Sequence, residues 1–159
     1  MEIRRATVKD ISTVVPIQAD VQRMHLSAYP QHYFNTSPDD LAGYFKYHLE
    51  RDSSVVFVAE SSGKILGYVV ATIRKQPDNP FARGGMIGYL DQVAVAADSR
   101  GGGTGQKLLE ALKVELKNRD VQRLYLDVGS FNSKAHEFFE SQGFKDFSRK
   151  MVYKLADNN

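Results

Sequence analysis

The 159 residues include no cysteine, so disulfides, thiolate zinc sites and cysteine nucleophiles are all excluded. Apolar residues make up 42% and charged residues 25%, the balance of one globular domain over 1–159. A net charge of +2 gives no case for a nucleic acid partner; no apolar run approaches membrane-spanning length or resembles a secretory leader, so a cytoplasmic protein with no membrane is expected.

Residues 2–6 have the length of a first strand. Thr7, with Asp10 three positions on, makes a capping-box spacing that opens a helix. Ile11, Val14, Val15, Gln18, Val21 and Gln22 form its stripe, and Pro16 within it predicts a kink. Tyr29 and Pro30 end this element, and a loop with His32, Tyr33 and Phe34 follows. Ser37, Pro38, Asp39 and Asp40 start a second helix, with serine as cap, proline in the first turn and acids at the positive end. Leu41, Tyr44, Phe45, His48 and Leu49 lie along it.

The β-branched run 55–59 predicts a strand, residues 61–64 a turn, and 65–74 the returning strand of a hairpin. Pro77, Asp78, Asn79 and Pro80, with Gly84 and Gly85, mark a long exposed loop. Residues 87–95 make the next strand, which runs into a glycine-rich turn. A helix over 104–119 puts Leu108, Leu109, Leu112 and Leu116 on one face and Lys107, Glu110, Lys113 and Lys117 on the other. Leu124, Leu126 and Val128 alternate as in a strand. Asn132 can cap a helix carrying Ala135, Phe138 and Phe139 that stops at Gly143. Residues 144–155 predict a last strand or hairpin. This order argues for an α/β chain built on one mixed sheet with helices on both faces.

The glycine turn carries the chemistry. Four of the six residues from Arg100 to Gly105 are glycine. Without Cβ atoms, main-chain N–H groups can converge on one concavity, and the next helix adds its unpaired N–H groups and positive dipole end. That combination suits a phosphate. The dinucleotide spacing G-x-G-x-x-G fails, since Gln106 or Leu108 falls where the third glycine belongs. The Gly-Lys pair Gly63-Lys64 is followed by Ile65, so the P-loop ending fails as well, which counts against a nucleotide-binding or phosphoryl-transfer protein.

The spacing R-x-x-G-x-G is present as Arg100, Gly103 and Gly105, after a strand ending Val93-Ala94-Val95 and before an amphipathic helix. Here the chain resembles the GNAT superfamily of N-acetyltransferases, whose turn of this kind grips the pyrophosphate of acetyl-CoA. Asn132, Ala135, Phe139 and Gly143-Phe144 resemble a second element of that family. The likeness covers roughly residues 89–144 and implies a mostly antiparallel sheet with one splayed parallel pair. It divides the domain into an acceptor-side half, 1–86, and an acetyl-CoA-binding half, 87–155. No metal is implied.

By this resemblance, Val93, Ala94 and Val95 hold the pantetheine arm and polarise the thioester. Arg100 and the turn Gly101, Gly102, Gly103, Thr104, Gly105 and Gln106 hold the phosphates. Asn132, Ala135 and Phe139 line the cofactor. The acceptor is an amine of a small molecule or a protein, attacking directly. Freeing the lone pair of an alkyl amine at neutral pH costs roughly 4–5 kcal/mol, so a base matters. Asp91 is the first candidate, expected on the face of Tyr89 and Val93, with a solvated carboxylate as the alternative. His25 and His32 follow. Tyr29, Tyr33, Phe34, Tyr44 and Tyr47 could line an acceptor pocket.

Phe139 stands where many relatives place a thiolate-protonating tyrosine. A thiol leaves as thiolate at neutral pH for only about 2 kcal/mol, so Tyr125, Tyr153 or water could replace that hydroxyl. A non-catalytic acyl-CoA-binding module is the competing expectation. A homodimer is also possible.

Overall fold

The computed structural model describes residues 1–156. Strand β1 (Glu2–Arg5) leads through a 3-10 turn (Val8–Asp10) into helix α1 (Ile11–Ala28). Helix α2 (Pro38–Leu49), the hairpin β2 (Ser54–Ser61) and β3 (Lys64–Gln76), and β4 (Gly85–Val95) follow. Helix α3 (Thr104–Asn118), β5 (Arg123–Tyr125) and α4 (Ser133–Ser141) complete the order. The strands form one sheet in the order β1-β2-β3-β4-β5, antiparallel throughout except for the parallel pair β4–β5.

Local chemistry sets most boundaries. The Thr7 N–H donates to Asp10 Oδ2 at 2.7 Å, the reciprocal half of a capping box, although its first turn is 3-10 rather than α. Asp10 also takes two hydrogen bonds from the Arg4 guanidinium, at 2.8 and 2.9 Å, which hold its carboxyl below the usual carboxylate range. Helix α1 runs unbroken past Pro16, and Val14 and Ile17 beside it are buried; apolar packing carries the helix through the missing N–H. Ser37 Oγ accepts from the Asp40 N–H at 3.1 Å and caps α2. The β2–β3 turn places Ser62 and Gly63 at φ 50° and 76°, the sense required by a two-residue hairpin.

Alternation along the central strands splits the core in two. Val55, Phe57, Val69 and Ala71 meet Leu108, Leu109, Leu112 and Leu116 of α3 on one face. Val56, Val58, Tyr68 and Val70 meet Val14, Ile17 and Phe45 of α1 and α2 on the other. Helices therefore cover both faces, as the element order predicts.

Two expectations fail at the C-terminal side. The alternation over 124–128 yields a strand of three residues, Arg123–Tyr125, because β4 pairs with it only through Ile87, Gly88 and Tyr89. Residues 144–156 form neither the expected last strand nor a hairpin. Phe144 packs against the α3 core, but from Phe147 on the large apolar side chains are exposed, Phe147 at 79% and Tyr153 at 84%.

Candidate active site

The glycine turn joins β4 to α3. Gly101 and Gly103 sit at φ 81° and 76°, which side-chain-bearing residues rarely adopt. Their conformation turns the backbone into the first turn of α3, where the first helical bond runs from the Lys107 N–H to the Gly103 carbonyl. The N–H groups of Thr104, Gly105 and Gln106 precede it, and no side chain caps this end, whereas Ser37 and Asn132 cap α2 and α4. Gly105 has a different reason to be glycine: a Cβ there would stand 3.1 Å from the Phe138 ring of α4. Gly102 has neither constraint, with its nearest atom 3.9 Å from a Cβ. Arg100 is exposed, and its Nε donates to the Val95 carbonyl at 3.3 Å, holding the side chain over the end of β4.

The pairing of β4 with β5 ends at Tyr89, where β5 itself ends. The pairing of β4 with β3 continues to Val95. Along residues 91–95 the β5 side of β4 is therefore paired with no strand among the described residues. Peptide groups on that edge suit a bonded amide chain such as a pantetheine arm, and the uncapped α3 terminus suits its phosphates.

A β-bulge lies in the same stretch. Val70 pairs with Gln92 and Ala71 with Leu90, so Asp91 is the extra residue. The bulge corrects the expected alternation. Asp91 shares the α1/α2 face with Tyr89, opposite Thr72, but Val93 pairs with Val69 and packs toward α3. In place of Val93, Gln92 joins Asp91 on the α1/α2 face.

Asp91 is exposed to the cleft, and Thr72 Oγ1 donates to its Oδ2 at 2.6 Å. Burial raises the Tyr44 phenol to about 12, and the charge of Asp91 adds to that shift. Burial lowers the His48 imidazole, against the opposing pull of Asp91. Its Nδ1 bonds Ser54 Oγ at 2.9 Å and its ring stands 4.6 Å from that of Tyr44. Beneath them, Gln92 Oε1 accepts from Tyr68 Oη at 3.0 Å and from Gln18 Nε2 at 3.1 Å. Gln18 Oε1 is buried without a hydrogen-bond partner among the described residues. Sequence reasoning missed Gln18, Tyr68, Thr72 and Gln92. Only Gln18 gave a signal, as a polar residue on the apolar stripe of α1.

The other expected acceptor residues divide. His25 Nδ1 donates to the Val21 carbonyl at 2.9 Å, and its ring packs on Tyr33 and Phe131. Tyr29 Oη bonds Ser130 Oγ at 3.0 Å. The end of α1 thereby meets the loop at Ser130 and Phe131. Tyr47 instead stacks under Arg51, while His32 and Phe34 are exposed. Tyr89 Oη bonds Asp127, and its phenol is raised to about 12, first by burial and then by that bond. The loop over 77–84 closes on itself, with Asn79 Oδ1 accepting from the Phe81 and Ala82 N–H groups.

At the start of α4, Asn132 Oδ1 accepts from the Ala135 N–H at 3.1 Å. The cap thus occupies the Asn132 Oδ1. The Phe139 ring packs between Phe138 and Phe144, against the α3 core. Tyr125 stacks on Phe147 at 5.3 Å.

A half-paired β4 running into an uncapped glycine turn is the arrangement expected of an acyltransferase of the N-acetyltransferase class. Residues 19–144 match the model of the acetyltransferase (GNAT) family, and the chain belongs to that family. It is 34% identical over 149 residues to an uncharacterized N-acetyltransferase of Archaeoglobus fulgidus, covering 91% of this chain and 93% of that protein. A mutant of the BH1408 protein from Bacillus halodurans superimposes with a TM-score of 0.92 at 27% identity, covering 98% of this chain and all of that one. A predicted acetyltransferase of Clostridium acetobutylicum, solved with acetyl-CoA, has the same fold, with a TM-score of 0.69 at 23% identity over 97% of this chain and 96% of that one. Among the described residues, no helix is long and apolar enough to cross a membrane.

Proposed function

We propose that this enzyme transfers the acetyl group of acetyl-CoA to a primary amine by direct attack within a ternary complex. The observation that carries the reading is that the β4–β5 pairing ends at Tyr89, just before the bulge that turns Asp91 and Gln92 toward the α1/α2 face. Donor and acceptor sides then meet along one short stretch of backbone. Arg100 and the N–H groups from Gly101 to Gln106 hold the diphosphate. The freed edge over Val93, Ala94 and Val95 holds the arm and donates to the thioester oxygen as negative charge grows there. Asn132 donates to the arm from the opposite wall.

Asp91 accepts the proton of the attacking amine, directly or through one water. Thr72 fixes its carboxylate by the 2.6 Å bond. Nitrogen then bonds to the acetyl carbon, the carbon–sulfur bond breaks and the electron pair leaves on sulfur. Phe139 supplies no proton, so the thiolate is protonated by water. Incubation with acetyl-CoA and a panel of amines, following free thiol, tests the reading: thiol release that requires an amine supports it. A non-catalytic acyl-CoA-binding module is the second reading, favoured by the packed Phe139. Tight CoA binding without thiol release across the panel would establish the module instead.

A further inference from the structure

Beside Asp91 lies a cation that the acetyl-transfer step does not use. Arg74 follows Thr72 by two positions on β3, so both belong to the α1/α2 face, with Tyr89 and Asp91 of β4 beside them. Arg74 is exposed, and its guanidinium makes no hydrogen bond or ion pair among the described residues. Instead its Cζ stands 5.3 Å from the centre of the Tyr89 ring. Tyr89 Oη bonds Asp127, which anchors that ring at its far end. A guanidinium stacked on an anchored ring is held by its flat face, and the N–H donors along its edge stay available.

Charge on this face is balanced. Asp91 and Asp127 bring negative charge, Arg74 and Arg123 positive charge. Arg123 Nη2 is engaged by the Arg83 and Gly84 carbonyls at 3.1 and 2.8 Å, and Asp127 by Tyr89 Oη. Asp91, held by Thr72 through one oxygen, and Arg74 are therefore the opposite charges open to a ligand. Their strand positions, Thr72 and Arg74, are roughly 7 Å apart. An amine and a carboxylate on neighbouring carbons, with a charge-assisted bond of about 2.8 Å at each end, fill a span of that order. A polyamine would meet Arg74 as a like charge, and a phosphate would meet Asp91 and Asp127 as like charges. A single carboxylate matches the fork of one guanidinium.

We propose that the acceptor is a free amino acid, whose carboxylate is taken by paired N–H bonds from Arg74 while its amine lies at Asp91. The inference rests on acetyl transfer at Asp91 and adds what selects the amine. The amino nitrogen bonds to the acetyl carbon and gives its proton to Asp91, and the electron pair of the carbon–sulfur bond leaves on sulfur. Arg74 touches only the carboxylate, so it sets specificity and moves no proton.

The test follows free thiol with acetyl-CoA and matched acceptors: an amino acid, its carboxamide and its decarboxylated amine, over several side chains. Wild type should prefer the amino acid by at least about tenfold in kcat/KM, mostly through KM. Arg74→Gln should bring that preference within about twofold, with circular dichroism and KM for acetyl-CoA unchanged. Comparing the ratio between the two enzymes cancels the differing basicity of the amines. A wild type that uses the decarboxylated amine equally well, or a preference that survives Arg74→Gln, overturns the proposal. A peptide with an acidic second residue that is acetylated at least about tenfold faster than any amino acid places the carboxylate on a polypeptide and also overturns it. If no amine releases thiol, the acetyl-transfer reading fails, and calorimetry of an N-acetylamino acid against the CoA complex decides this one. Affinity lowered at least about tenfold by Arg74→Gln supports the carboxylate site, and equal affinity or no binding overturns it.

Discussion

Replacing Asp91 by asparagine removes proton acceptance while leaving an oxygen for the Thr72 hydroxyl, now 2.6 Å from Asp91 Oδ2. The side chain is exposed, so the fold and the acetyl-CoA site should be little affected. An alkyl amine with a pKa near ~10.4 is free in only about one molecule in 2,500 at pH 7, a penalty of roughly 4–5 kcal/mol. A positioned base recovers on the order of a hundredfold or more in rate. The variant should therefore lose about a hundredfold in kcat at pH 7, while KM for acetyl-CoA stays within about twofold. Free thiol would be followed from pH 6 to 10 at saturating acetyl-CoA. The variant should gain roughly tenfold per pH unit until the amine itself is free, and the wild type should climb less steeply. A kcat within about threefold of wild type, with the same slope, would remove Asp91 from proton transfer.

Gly103→Val places a branched residue at φ 76°, where strain of about 1–3 kcal/mol falls on the turn. Calorimetry should show acetyl-CoA affinity lowered by at least about tenfold, whereas Gly102→Ala, facing open space, should stay within about twofold. Equal affinities in the two variants would remove the phosphates from this turn. Leu112→Ala empties a fully buried position between α3 and the sheet and should cost about 2–5 kcal/mol in urea unfolding, with the native fold kept. Asp10→Asn loses the paired carboxylate that Arg4 holds, worth about 2 kcal/mol at neutral pH. Because its native pKa is depressed, that contribution is complete above the ordinary carboxylate range and fades as pH falls through the native value. Wild type and variant should converge in stability in acid; a constant difference would contradict the link.

Most elements were legible because their signals are local. Ser37 with Pro38, the Ser62-Gly63 turn and Asn132 each satisfy backbone groups within a few residues, so their spacing alone announces an end or a reversal. The four leucines of α3 follow a helical period and are buried. The glycine turn was legible for the same reason, since positive φ at Gly101 and Gly103 leaves a mark in composition.

What the sequence could not settle was where pairing stops. Strand β5 ends after three residues and β4 bulges at Asp91 because those limits depend on which neighbour lies alongside. No residue type at 91 announces the bulge, so period-two counting placed Val93 on the wrong face and overlooked Gln92. The cluster of Gln18, Tyr68 and Gln92 joins α1, β3 and β4 across 74 positions of sequence, and residues so distant share no local pattern. Residues 144–155 show the same limit from the other side. Their alternation predicts a strand, but a strand exists only where an edge receives it. The sequence by itself therefore determined the glycine turn and the helices, through interactions that close within a turn or two. Tertiary structure alone decided the faces of the cleft and the extent of the sheet, because hydrogen bonds between strands belong to pairs of distant segments and not to either one.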